Sequence, residues 1–436
     1  MVITLTTFIT FGVTNHLVIK MRVLIVNTSE RTGGAAIAAN RLLQALSHNG
    51  IEAQMLVRDR KTDSPQVASL PQSWRLKAKF LWERGIIWLA NGLSKKNLFQ
   101  VDIANVGTDI TTMDVFRQAD VIHLHWVNQG FLSLKNLERI VSSGKPIVIT
   151  LHDQWYFTGI CHYSSGCDKY MSQCEKCPML KGTGVDLARR VYNRKQAIYE
   201  GRNITFVGCS RWMANLARQS RLTQGHNVVN VPNAIDTSVF TPMDQAAARE
   251  RHGLPADKCL LLFGAQRITD GRKGFRYLQE ACEHLVHSDT ELASQMGVVV
   301  LGGDAEAVKS ALPLPVFTVG YLSRETDIAS LYNAVDLFVT PSLQDNLPNT
   351  IVEAMSCGVP CVGFDVGGIP EMINHKQDGY VADYCDSIDF AQGIAWCLNG
   401  SRLPSLSKAA RAFALATYSE AVAARNYQEI YNSALS

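Results

Sequence analysis

The sequence predicts an α/β protein built as two Rossmann-like, doubly wound domains facing each other across a cleft. Three observations carry this. Short β-rich runs alternate with helical patterns along most of the chain, the mark of a parallel sheet wrapped by helices. The alternation comes in two series, parted by the turn-rich break Pro232-Asn233-Ala234-Ile235-Asp236. The length of 436 residues suits two or three domains at roughly 100–200 residues each.

In the first series the expected strands are Val23–Asn27, Ala53–Val57, Val121–His125, Ile147–Leu151, Thr205–Cys209 and Val228–Val231, with helical stretches such as Gly34–Asn49 and Leu134–Ser143 between them. A polar helix near Gln245–His252 follows the break. The second series runs through Cys259–Ala265, Gly297–Gly302, Val316–Val319, Asp336–Thr340, Pro360–Phe364 and Gly379–Val381. This gives a first domain over 21–240, a second over 258–415, and a C-terminal helix over 416–436 that crosses back to the first. Residues 1–20 are apolar but carry no basic n-region or cleavage-site pattern. They read as a non-native or disordered extension upstream of a natural start at Met21. Open α/β sheets bind ligands beyond the carboxyl ends of their strands, so the cleft is the expected site.

Composition narrows the function. Hydrophobic residues make up 47% and charged residues 19% of the chain, with a net charge of +3. That balance excludes disorder and gives no electrostatic case for nucleic acid. No window is long and apolar enough for a membrane span.

Two segments suit phosphate. Gly33-Gly34 links the first strand to the first helix, where paired glycines let backbone N–H groups approach an anion at a helix N-terminus. A tight structural turn explains them equally well. After the first strand of the second series, Arg267, Arg272 and Lys273 stand at a strand end, where guanidinium and ammonium groups grip phosphate. Taken alone, that segment reads as a solvated basic loop.

The partner segment is Thr340–Pro360. Asp345 lies in a loop after a strand, before a helix opened by Pro348 and closed by Gly358. Glu353 follows nearly two turns into the helix. Two carboxylates so placed suit two sets of sugar hydroxyls, and the helix mouth near Asn346, Leu347, Pro348 and Asn349 suits a phosphate or sugar oxygen. An N-terminal charge plus a buried, satisfied Glu is the alternative.

These residues resemble the E-x7-E motif of retaining family-4 glycosyltransferases, with Asp345 in place of the first glutamate. The resemblance extends to Gly33-Gly34, to Lys273-Gly274 as a "KG" motif, to Pro232–Asp236 as a "PNGID" segment, and to Gly320-Tyr321-Leu322 as the turn under a nucleotide base. Gly367-Gly368-Ile369-Pro370-Glu371 matches a "GG-x-PE" turn. The resemblance implies the GT-B fold and transfer of a sugar from a nucleotide-sugar donor to a saccharide or lipid-linked acceptor, with retention and no catalytic metal, in the assembly of a surface polysaccharide. It implies that Glu353 holds the ribose, that Asp345 and residues 346–349 hold the donor sugar and its phosphates, and that Lys273 with Arg267 or Arg272 neutralises the diphosphate. His152 matches a histidine that touches the donor sugar from the acceptor side, with Asp153 its neighbour. His125 is an acceptor-side candidate or a buried hydrogen-bonding residue. Aspartate for glutamate, and Ala265 where the family carries an arginine, are departures. A nucleotide-sugar epimerase or a non-catalytic sugar-nucleotide-binding subunit on the same fold are the competing readings.

Two features stand apart from the motifs. Cys161, Cys167, Cys174 and Cys177 form C-x5-C-x6-C-x2-C, which suits a structural zinc more than disulfides in a chain without a secretory signal. Residues 72–99 interleave Trp74, Leu81, Trp82, Trp88 and Leu89 with Arg75, Lys77, Lys79, Arg84, Lys95 and Lys96. A basic amphipathic helix of this kind either lies on an anionic membrane or covers its own core. The expected location is the cytoplasm, at the inner face of the membrane where lipid-linked acceptors lie.

Overall fold

Successive residues of the first strand point into different cores. Leu24 and Val26 belong to one apolar cluster, Val23 and Ile25 to another. The same split recurs in the second half, where Leu260 and Leu262 face one cluster and Leu261 and Phe263 the other. Strands buried on both faces belong to parallel sheets covered by helices, which is why these runs are apolar without alternation.

The computed structural model describes residues 21–182, 184–265 and 267–436; the extension expected over 1–20 lies outside the described residues. Seven strands form the first sheet: β1 (Arg22–Ser29), β2 (Glu52–Asp59), β3 (Val67–Ser69), β4 (Val121–Leu124), β5 (Ile147–Leu151), β6 (Ile204–Gly208) and β7 (Asn227–Asn230). Six form the second: β8 (Cys259–Gly264), β9 (Met296–Leu301), β10 (Val316–Val319), β11 (Leu337–Thr340), β12 (Cys361–Phe364) and β13 (Gly379–Ala382). The orders are β3-β2-β1-β4-β5-β6-β7 and β10-β9-β8-β11-β12-β13. Strand order reverses beside β1 and β4 in one sheet and beside β8 and β11 in the other. Those two switch points are where an open sheet receives a ligand.

Every expected strand is present. The three-residue edge strand β3 carried no periodic signal of its own in the sequence. The helix Gly34–His48 ends where Asn49 caps its last carbonyls. The terminal helix Glu420–Leu435 returns to the first domain, where Ala424, Tyr427 and Tyr431 share a core with Val23, Leu42 and Leu43. Its two tyrosine hydroxyls reach the first sheet: Tyr431 meets His123 Nδ1 at 2.8 Å and Tyr427 meets Thr150 Oγ1 at 2.9 Å. Among the described residues no helix is long and apolar enough to cross a membrane.

Candidate functional site

The loops after β8 and β11 meet at the second switch point. Lys273 Nζ donates to Asp345 Oδ2 at 2.6 Å. Gly274 holds the two loops together. Its φ is +69°, and a Cβ there would lie 1.8 Å from the Pro341 carbonyl oxygen, so only glycine fits. Gly367 does the same for the acidic loop: at φ +62°, a Cβ would lie 1.9 Å from the Asp345 carbonyl oxygen. The KG and GG-x-PE glycines therefore act through packing, bringing Lys273 and Asp345 to one point.

Arg272 lies beside them, its guanidinium 5.5 Å from the ring centroid of Tyr163 in the first domain and 3.3 Å from Asp270. Arg267 is exposed. The helix Asn349–Ser356 opens at Pro348 and points its first turn at the glycine loop, with Asn349 Nδ2 donating to the Gly34 carbonyl at 3.2 Å. Asn233 of the linker segment donates to Asn349 Oδ1 at 3.1 Å. Tyr321 stands 70% exposed beyond β10, with Leu322 beside it.

Four other candidates are engaged in structural contacts, and two of them, Asn346 and Glu353, bond across the domains. Asn346 is buried; its amide donates to the carbonyls of Leu151 and His152 at 3.0 and 3.2 Å and accepts from Ser210 at 2.6 Å. Its side chain thus clasps the opposite domain, leaving its backbone to the cleft. Leu347 packs in the second core. Glu353 is also buried, with one oxygen 2.8 Å from Arg41 Nη2 and the other 3.0 Å from the Tyr332 hydroxyl. Asp153 accepts from the Trp126 indole (2.8 Å), His162 Nδ1 (2.7 Å) and the Trp155 N–H (2.9 Å). Burial works to raise the Asp153 carboxyl, but His162 and these bonds outweigh it and hold it below the usual range. Asp153 therefore orders the loop after β5.

Sequence reasoning missed Arg41 and Glu371. Arg41 comes from the first helix, is 6% exposed, and bridges Glu353 and Glu325 at 2.8 Å each. Its signal was a cation on the apolar stripe of that helix, between Ala38 and Leu42. Glu371 of the GG-x-PE turn accepts the backbone N–H groups of Arg211 (2.7 Å) and Trp212 (2.5 Å), opening a first-domain helix with a second-domain carboxylate.

The histidines form a buried stack. His152 Nε2 meets His125 Nδ1 at 2.8 Å, and His152 Nδ1 faces Cys209 Sγ at 3.6 Å. The His123 and His125 rings lie 4.3 Å apart, and His125 Nε2 is buried without a partner. Burial pulls His123 down to about 3 and His152 to about 4, and His125 well below its ordinary range. All three are neutral in the folded protein near pH 5, whereas the unfolded chain protonates its histidines below about 6.5. The unfolded state then binds more protons, so stability falls as pH drops from about 6.5 towards 4. Unfolding free energies from denaturant titrations at pH 7 and pH 5 are expected to differ by a few kcal/mol, on the order of 1.4 kcal/mol per histidine and pH unit. His123→Phe is expected to shrink that difference.

Comparison with known proteins agrees with the geometry. Residues 32–239 match the family model "Glycosyltransferase Family 4", and residues 258–400 match "Glycosyl transferases group 1". The chain belongs to the family-4 glycosyltransferases. The glycosyltransferase is 27% identical over 334 residues to a D-inositol 3-phosphate glycosyltransferase of Thermobispora bispora, covering 72% of this chain and 71% of the relative. It is 26% identical over 312 residues to WcaC of Escherichia coli, a protein named for colanic acid biosynthesis, covering 67% and 72%. Its two-domain GT-B fold overlays Anabaena HepE, solved in complex with UDP, with a TM-score of 0.61 at 17% identity over 95% of this chain and 100% of that one.

Proposed function

We propose that the glycosyltransferase moves a sugar from a nucleoside-diphosphate donor to a saccharide hydroxyl with retention of anomeric configuration, in the assembly of a surface polysaccharide. The observation that carries this is the Lys273–Asp345 pair at 2.6 Å. It stands at the strand switch point, beside Arg272 and facing the first domain's His152 loop. A cation poised at a donor site needs a diphosphate to bind, and a carboxylate beside it needs hydroxyls. The UDP complex of HepE and the naming of WcaC support the donor class and the pathway.

The donor's diphosphate displaces Asp345 from Lys273, and Arg272 approaches from the same side. The anomeric carbon–oxygen bond to the diphosphate breaks, and the leaving charge falls on the phosphate oxygens that Lys273 faces. The acceptor hydroxyl bonds to the anomeric carbon, and its proton passes to a donor phosphate oxygen. Asp345, freed from Lys273, receives sugar hydroxyls, while Glu353 takes the ribose at the edge of its Arg41 pair. His152, neutral and only partly buried, can exchange a single hydrogen bond with a sugar hydroxyl without adding charge, while buried His125 orients its ring. Lysine and arginine supply the diphosphate's neutralisation, so the reading calls for no divalent ion there. Proton NMR of the first product formed from an α-linked donor is expected to show the α anomer; a β product overturns retention.

The acceptor is lipid-linked in this reading, because of the helix Trp74–Ala90. Leu76 and Ile87 face inward, while Trp74, Leu81, Trp82 and Leu89 are 63–74% exposed and repeat at seven-residue spacing along one side. Arg75, Lys77, Lys95 and Lys96 are exposed around them. Two cations of the sequence pattern are otherwise engaged. Arg84 is buried on Asp102 at 2.9 Å, and Lys79 donates to the Gly107 carbonyl at 2.7 Å. The remaining face combines wedge-shaped apolar rings with positive charge, as an anionic bilayer surface requires. Flotation with phosphatidylglycerol-containing vesicles is expected, and is expected to be lost when Lys77, Lys95 and Lys96 become Glu. Failure of the unaltered protein to float overturns the membrane contact.

A further inference from the structure

The segment after β5 carries four reduced cysteines, Cys161, Cys167, Cys174 and Cys177, and all four line one cavity of about 20 Å³. Among the described residues no three ligand groups are arranged as a ready metal site, so loading an ion here takes a change of χ1 rotamer at one or more of these cysteines. Three features of the cavity fit that outcome. The donor set is four sulfurs, the set that selects zinc in closed tetrahedral sites. One backbone N–H group is aimed at a sulfur: Gly159 donates to Cys174 Sγ at 3.2 Å. Such a bond suits a metal-bound sulfur.

The third feature is Lys195. It is fully buried, and its ammonium donates to the carbonyls of Trp155, Thr158 (3.1 Å) and Gly159 (3.1 Å). Its three donor positions are matched to three acceptors, and no carboxylate is among its partners. A buried cation needs a compensating anion. Four thiolates around Zn²⁺ carry a net double negative charge and would supply it.

We propose that Cys161, Cys167, Cys174 and Cys177 bind one structural zinc ion, with Lys195 as its buried counter-charge. The centre also has a position in the site. His162, next to Cys161, holds Asp153 at 2.7 Å, and Tyr163 lies against Arg272. Zinc thus fixes the segment that supports the catalytic cleft, whichever donor the cleft takes.

The test is elemental analysis of the full chain purified without metal affinity. One zinc per chain is expected, released when a mercurial titrates four thiols and read by a chromogenic chelator. Cys174→Ser/Cys177→Ser is expected to lose the metal. Lys195→Met keeps every ligand, and is expected to give up its zinc to EDTA about 10- to 100-fold more readily. Zinc-free protein whose four thiols react freely overturns the proposal. So do disulfides among these cysteines, iron in place of zinc, or zinc retained in full by the cysteine variant.

Discussion

Replacing Lys273 with alanine is expected to lower the turnover of donor by about 100- to 1,000-fold, with the fold intact. Removal of one preorganised group at a developing negative charge costs about 3–4 kcal/mol of transition-state stabilisation. Lys273 is one-quarter exposed at its side chain, and its described ion pair is with Asp345. Its loss therefore removes little packing, and thermal stability is expected to change by less than about 1 kcal/mol. The effect should fall on kcat more than on KM, because the charge on the leaving diphosphate is largest in the transition state. Lys273→Arg is expected to recover only part of the rate, since a planar fork does not reproduce a point charge beside Asp345. A Lys273→Ala protein with full turnover would remove the cation from the chemistry.

Glu353→Ala is expected to strike both stability and activity. It leaves Arg41 with Glu325 as its sole described carboxylate and leaves the buried Tyr332 hydroxyl without its acceptor. Breaking a buried pair from one side costs about 3–5 kcal/mol; the surviving Glu325 places the expected loss near about 3 kcal/mol. Chemical denaturation measures it. Replacing both partners separates the two roles. Arg41→Met/Glu353→Leu is expected to return stability to within about 1–2 kcal/mol of the native chain, while donor turnover stays lost. If the double variant turns over normally, Glu353 acts only as an interdomain strut.

The fold was legible because parallel strands buried on both faces announce themselves as apolar runs, and each ran between helical patterns. The pair Lys273 and Asp345 was legible because two short motifs carry it, and glycines with no room for a side chain, Gly274 and Gly367, pack their loops to one point. The interface was not legible. Arg41 and Glu353 are 312 positions apart, and no local period links them. Asn346 looks in sequence like a ligand-facing residue of a helix mouth, and Glu371 only like the last residue of a turn. Only the docking of the domains turns Asn346 onto the end of β5 and Glu371 onto the helix that starts at Arg211. The basic stretch was half legible: a helix is there, with Trp74, Leu81, Trp82 and Leu89 exposed, but its buried side carries Glu83 and Arg84, and the inward turn of Arg84 follows from Asp102, which lies beyond the helix.

The most direct test is a screen of the purified full chain against UDP-, GDP-, ADP- and TDP-sugars with no divalent metal added, reading melting temperature and donor hydrolysis together. One donor is expected to raise the melting temperature and to be slowly hydrolysed, with hydrolysis falling at least about 100-fold in Lys273→Ala. No response to any donor, hydrolysis unchanged in Lys273→Ala, or a strict requirement for added divalent metal would contradict the account.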